Sequence, residues 1–135
     1  MSVKKVLKLI QSKKLFDTGK LAEQGISIKS GVGLCENNTQ NIDLVSGKQI
    51  KHGTTNLTND GYRKASIGTD TTADILAVIT ETLTGDQYFL YIPYSAHKKL
   101  KGSIAIRFEL DGTPCKSKWW QYQVESFDKL CKLAK

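Results

Sequence analysis

The stretch 73–83 (Ala-Asp-Ile-Leu-Ala-Val-Ile-Thr-Glu-Thr-Leu) constrains the fold of this chain more than any other. It is apolar enough that a strand with one wet face would expose too much of it. It predicts a central strand buried on both faces. Thr84-Gly85-Asp86 is turn chemistry, and Gln87–Pro93 is a second apolar run. The two runs therefore form a hairpin at the centre of a sheet.

The remaining elements fall around that hairpin. Residues 62–67 read as extended. Ile104, Ile106, Phe108 and Leu110 alternate with Ala105, Arg107, Glu109 and Asp111, which predicts a half-exposed strand. Residues 118–124, with Trp119, Trp120 and Tyr122, read as an edge strand whose aromatic rings pack the fold or a dimer contact. Val3, Val6, Leu7 and Ile10 lie on one helix face behind Ser2 as N-cap. A short helix over 18–24 ends at Gly25, and residues 30–40 read as a loop. Ser95 caps a short basic helix over 96–101. Ser126 caps a last helix with Phe127, Leu130, Cys131 and Ala134 on one face. Helix, then a run of strands, then helix predicts an α+β or mixed α/β protein, built as one domain over residues 1–135.

Composition narrows the function classes. An apolar fraction of 39% and a charged fraction of 24% suit a globular protein of this length, which needs no disulfide to fold. No apolar run approaches a membrane span and no signal peptide opens the chain. Cys35, Cys115 and Cys131 are scattered and odd in number, which fits a reducing, cytoplasmic setting and gives no zinc spacing. The net charge of +7 favours a polyanionic partner, nucleic acid first. Seven lysines fall within residues 1–30, and Lys98, Lys99 and Lys101 form a second group.

Residues 41–51 carry the chemistry. They read as two short strands, 41–45 and 48–52, around a Ser46-Gly47 turn. Gln49 and Lys51 are two apart and share a face, while Ile50 points into the core. Asp43 lies on the first strand. A two-residue turn pairs Asp43 with Ile50 and faces it away from Lys51. A three-residue loop (Ser46, Gly47, Lys48) pairs Asp43 with Lys51 and restores a common face. Glu36, thirteen residues before Gln49, is the other candidate for the first acid. An acid, an amide oxygen and an ammonium at one point are what metal-dependent phosphodiester hydrolysis requires.

With Ile42-Asp43-Leu44 as the acidic strand and Gln49-Ile50-Lys51 as the following triplet, this stretch resembles the PD-(D/E)XK, or restriction-endonuclease-like, nuclease superfamily. Residues 73–78 and 88–93 resemble the core strand pair that follows its catalytic hairpin, so the likeness spans about residues 36–93. The resemblance implies a mixed sheet flanked by helices and a Mg²⁺-dependent DNA endonuclease, with glutamine in the second acidic position. It implies that Asp43, Gln49 and Glu36 hold the metal and that Lys51 activates the water or stabilises the phosphate. It also implies a small restriction or homing/phage-type enzyme acting as a homodimer. The loop 53–61 leaves the catalytic strand, and Tyr62, Arg63, Lys64 and Lys48 are the expected DNA contacts. His52 is read as a solvated strand-end residue, His97 as a phosphate or solvent contact, and Ser30-Gly-Val-Gly33 as a flexible segment at the site entrance. The alternative is a non-catalytic basic nucleic-acid-binding module, and a protein-interaction domain is a third class.

Overall fold

The structure is a computed structural model that describes Val3, residues 25–26, 28–32 and 47–135. The strand expected over 41–45, the helix over 18–24 and all but Val3 of the first helix lie outside these residues, as do Glu36 and Asp43.

Two sheets pack together. The first is mixed, with strand order β1 (Gln49–Thr54), β4 (Ile75–Thr80), β5 (Gln87–Ile92) and β7 (Gln123–Val124). β1 runs parallel to β4, and the β4–β5 and β5–β7 pairs are antiparallel. The second sheet is antiparallel, in the order β2 (Asn56–Leu57), β3 (Arg63–Gly68) and β6 (Ser103–Phe108). The class is therefore α+β with a mixed sheet, as the sequence predicts, but a second sheet covers one face of the first.

Strand β4 shows why the apolar run is decisive. All six of its residues are buried. Ile75, Ala77 and Ile79 face the second sheet, within a cluster that includes Ala65, Ile67, Ile104, Ile106, Phe108 and Trp119. Leu76 and Val78 face the other way, onto Ile26, Ile50, Leu130, Cys131 and Ala134. The strand is thus apolar at both parities because it divides two cores. It ends at Thr80, and the chain turns from Glu81. The Gly85 N–H donates to the Glu81 carbonyl at 2.7 Å, closing the expected hairpin into β5.

Several local expectations change. Residues 25–26 and 28–30 are helical, so Gly25 lies in a helix and is not a C-cap glycine. Gly31, at φ +75°, follows the last helical residue and takes the left-handed conformation that suits glycine there. Ser30 is helical and buried rather than part of a flexible entrance loop. The turn-rich segment 53–61 begins inside β1 and includes β2. Helix α1 is Tyr94–His97 with Pro93 at its N-cap, earlier and shorter than the predicted 96–101. Residues Lys118–Tyr122 form a 3-10 turn, leaving only Gln123–Val124 as the edge strand. The aromatic pair packs as expected: Trp119 is buried, and the Trp120 ring meets Tyr88 and Phe108 edge-on. Leu110, expected to continue the inward alternation, lies beyond the end of β6 and is exposed. Helix α2 (Phe127–Leu133) starts at Ser126, whose hydroxyl accepts from the Lys129 N–H, and buries the face read from sequence. Among the described residues, no helix is long and apolar enough to cross a membrane.

Candidate active site

Strand β1 positions the two residues of the triplet. Its register against β4 sets Gln49 beside Ile75 and Lys51 beside Ala77. Ile50 is buried in the helix-side core with Leu76. Alternation then turns Gln49 and Lys51 to the opposite face, toward the second sheet. Gly53 lies further along the same face, where a Cβ would stand 3.3 Å from the Ser66 carbonyl oxygen and 3.5 Å from the Ala65 Cβ. β1 therefore runs close along β3.

Gln49 begins the strand. Its N–H donates to the Asp74 carbonyl at 2.9 Å, which fixes the start of the parallel pair. Its side chain is only 8% exposed, and Oε1 has no hydrogen-bond partner among the described residues. Lys51 is half-buried, and its ammonium donates to Asp70 Oδ1 at 2.9 Å. Asp70 itself is 74% exposed. That hydrogen bond, reinforced by the lysine charge, holds the Asp70 carboxyl below the usual carboxylate range. Gly68 leaves space for this pair: a Cβ there would lie 3.3 Å from Asp70 Oδ1 and 3.7 Å from Lys51 Nζ.

Asp74 occupies the other face of the same sheet end. It alternates with Ile75 and so points to the side of Leu76. There it accepts from the Tyr91 hydroxyl at 2.5 Å and the Tyr94 N–H at 2.8 Å. Burial pulls the Asp74 carboxyl upward, but these two bonds and the charges of Lys48 and His97 hold it below its ordinary value. Burial and the bond to Asp74 push the Tyr91 phenol up to about 12. The Lys48 ammonium donates to the Lys135 carbonyl at 2.7 Å, joining the start of β1 to the end of the chain.

The structure corrects both histidine expectations. His97 is no phosphate contact: it is 1% exposed, and its Nε2 meets the Ala73 carbonyl at 2.9 Å. Its ring packs edge-on to Tyr94, and its Nδ1 has no hydrogen-bond partner among the described residues. His52 lies within β1 rather than at a wet strand end, 3.1 Å from Thr80 Oγ1.

The expected DNA contacts separate in the same way. Arg63 shares the inward parity of Ala65 and Ile67 on β3. Its guanidinium binds Glu81 at 2.7 and 2.9 Å and reaches Thr55 and Thr82, with Glu81 fully buried. Arg63 is thus a joint between the two sheets and not a contact for DNA. Lys64 has the opposite parity and faces outward with Ser66. Tyr62 is at the surface, with the Arg107 guanidinium 5.4 Å from its ring centroid.

The described residues thus put Gln49 and Lys51 on one strand face and bring to Lys51 an acid that the motif did not supply, Asp70. Its sequence signal was a Gly68-Thr69-Asp70 turn directly after a predicted strand, but only the β1–β3 contact carries it to Lys51. No group of three or more His, Cys, Asp or Glu side chains gathers among the described residues. No protein-family model matches the chain, and no curated protein matches it significantly. Among solved structures, the chain is similar to a bacterial homing endonuclease, I-Ssp6803I. The identity is 18%, the TM-score is 0.48, and the match covers 78% of this chain and 83% of that one.

Proposed function

We propose that this protein is a Mg²⁺-dependent DNA endonuclease of the PD-(D/E)XK type, with Gln49 in the second ligand position and Lys51 as the catalytic lysine. The observation that carries the reading is the Gln49 amide oxygen, buried without a partner among the described residues, two residues from Lys51 on one strand face. Leaving such an acceptor unpaired costs about 1–3 kcal/mol, a cost that a bound cation removes. The donors present suit a hard metal: a neutral amide oxygen at Gln49 and an ionised carboxylate at Asp70 beside Lys51. Asp43 or Glu36 would supply the remaining acid. A bound Mg²⁺ neutralises phosphate charge and makes its water more acidic.

The residues of the chain do the rest. The Lys51 ammonium, held at the site mouth by an exposed partner, can turn from Asp70 to a phosphate oxygen and stabilise the charge that develops there. Ile50, locked in the helix-side core, keeps the two flanking side chains on the opposite face, toward the second sheet. Two copies related by a two-fold axis would present one such site to each strand of a duplex, so we propose a homodimer.

Cleavage of supercoiled plasmid in Mg²⁺ tests the reading. Lys51→Ala and Gln49→Ala should each lower the rate by about 100-fold or more, while DNA affinity in chelator stays unchanged. A wild-type protein that binds DNA but nicks it in neither Mg²⁺ nor Mn²⁺ would instead be a basic binding module.

A further inference from the structure

We infer that the outer face of the β2–β3–β6 sheet docks duplex DNA, with the row Asn56–Lys64–Arg107 lying in the major groove. The inference rests on the proposed nuclease reading and names the substrate form and the surface that reads it.

The register builds this row. Asn56 pairs with Lys64, and Lys64 pairs with Arg107, so three hydrogen-bond donors lie side by side across three strands. Asn, Lys and Arg are side chains whose donors match base edges in the major groove. The pair at the centre is electrostatically unfavourable by itself. Like charges directly opposite each other on an antiparallel ladder destabilise it, unless an anion lies over them. Asp60 relieves this only in part, through an exposed contact of 3.5 Å to Arg107. Such a contact is weak and easily exchanged for a phosphate or a base.

The rest of the face suits close approach. Behind the basic row come Ser66 opposite Ala105, then Gly68 opposite Ser103, all small. Ser103, Ala105 and Arg107 are exposed, while Ile104, Ile106 and Phe108 form the underside. Beyond the two-residue β2 the face narrows to the antiparallel pair β3–β6, and a two-stranded ribbon fits the major groove of B-form DNA but not the deep, narrow one of A-form RNA.

The face also leads to the site. Gly68 lies against the Lys51–Asp70 pair, about 13 Å along the strand from Lys64 at four residues of strand rise. The Gly102 carbonyl accepts from both the N–H and the hydroxyl of Thr69, at 3.1 and 3.0 Å. This pins the exposed Lys98, Lys99 and Lys101 loop beside Asp70. A duplex seated on the ribbon would place its backbone against these lysines. Asp60 and Glu109 are the acids at the far rim.

Fluorescence anisotropy of a labelled duplex, in chelator so that nothing is cut, tests the inference. The double variant Lys64→Ala/Arg107→Ala should weaken binding roughly tenfold or more and flatten the plot of log affinity against log salt by up to about 1.8. Ala105→Glu, which adds an exposed carboxylate to the ribbon without touching the core, should weaken binding comparably. Lys132→Ala on α2 should not. Methylating guanine N7 blocks the major groove and should weaken the wild type more than the double variant. Unchanged affinity and slope in the double variant, or equal loss on methylation in both proteins, overturns the inference. Cleavage is read separately. A double variant that cuts DNA with wild-type affinity removes this surface and leaves the nuclease reading standing. A wild type that binds through this face and never cuts removes the nuclease reading alone.

Discussion

At the scale of the residue, orphaned and paired polar atoms decide what each side chain can do. Among the described residues, Gln49 keeps a buried acceptor with no donor, whereas Asp74, one strand away, has donors to both carboxylate oxygens. The first is the acceptor that the proposed reading gives to a metal, and the second holds the chain together. Asp74 titrates below its ordinary value in the folded state. Its contribution to stability is therefore present above the unfolded-state value and lost as the pH falls through the folded one. Wild type should exceed Asp74→Asn in stability near neutral pH, and the gap should close below about pH 4. Urea titrations at several pH values measure it; a gap that widens on acidification would contradict the assignment. Gln49 and Lys51 were legible as a motif because a period of two puts them on one face in any strand. Asp70 was not, since nothing local links a turn after β3 to a lysine on β1.

Among elements, parity along a strand separates function from support. Arg63 and Lys64 are neighbours in sequence and equal in charge, yet one faces the core and the other faces out. The inward one ties β3 to the end of β4 through Glu81. Arg63→Ala would leave that carboxylate buried and unpaired, at a cost of about 3–5 kcal/mol. Chemical denaturation should show this loss, and at temperatures where the variant stays folded its duplex affinity should match the wild type. The alternation of Ile104, Ile106 and Phe108 predicted β6 well. The parity of β3 was harder to read, because Arg63-Lys64-Ala65-Ser66 carries only one small apolar residue.

At the scale of the molecule, the described residues form two cores divided by one strand. Ile79 is fully buried between the sheets, so Ile79→Ala should lose about 2–5 kcal/mol. Trp119 and Trp120 report on that core, and far-UV circular dichroism reports on both sheets. A single coincident transition by the two probes would show that the layers unfold together, and separated transitions would show that they do not. Local periodicity and composition are enough for several elements. These are a doubly buried strand within 73–83, its hairpin, the alternation of Ile104, Ile106 and Phe108, the capped last helix and the shared face of Gln49 and Lys51. Which elements meet is settled by contacts between distant segments. β1 runs parallel to β4, a second sheet covers one face, Asp70 reaches Lys51 and Arg63 turns inward to Glu81. The physical reason is range. Side-chain period is fixed by backbone geometry within a few residues. Pairing between distant strands depends on which apolar faces bury one another best, a property of the folded whole.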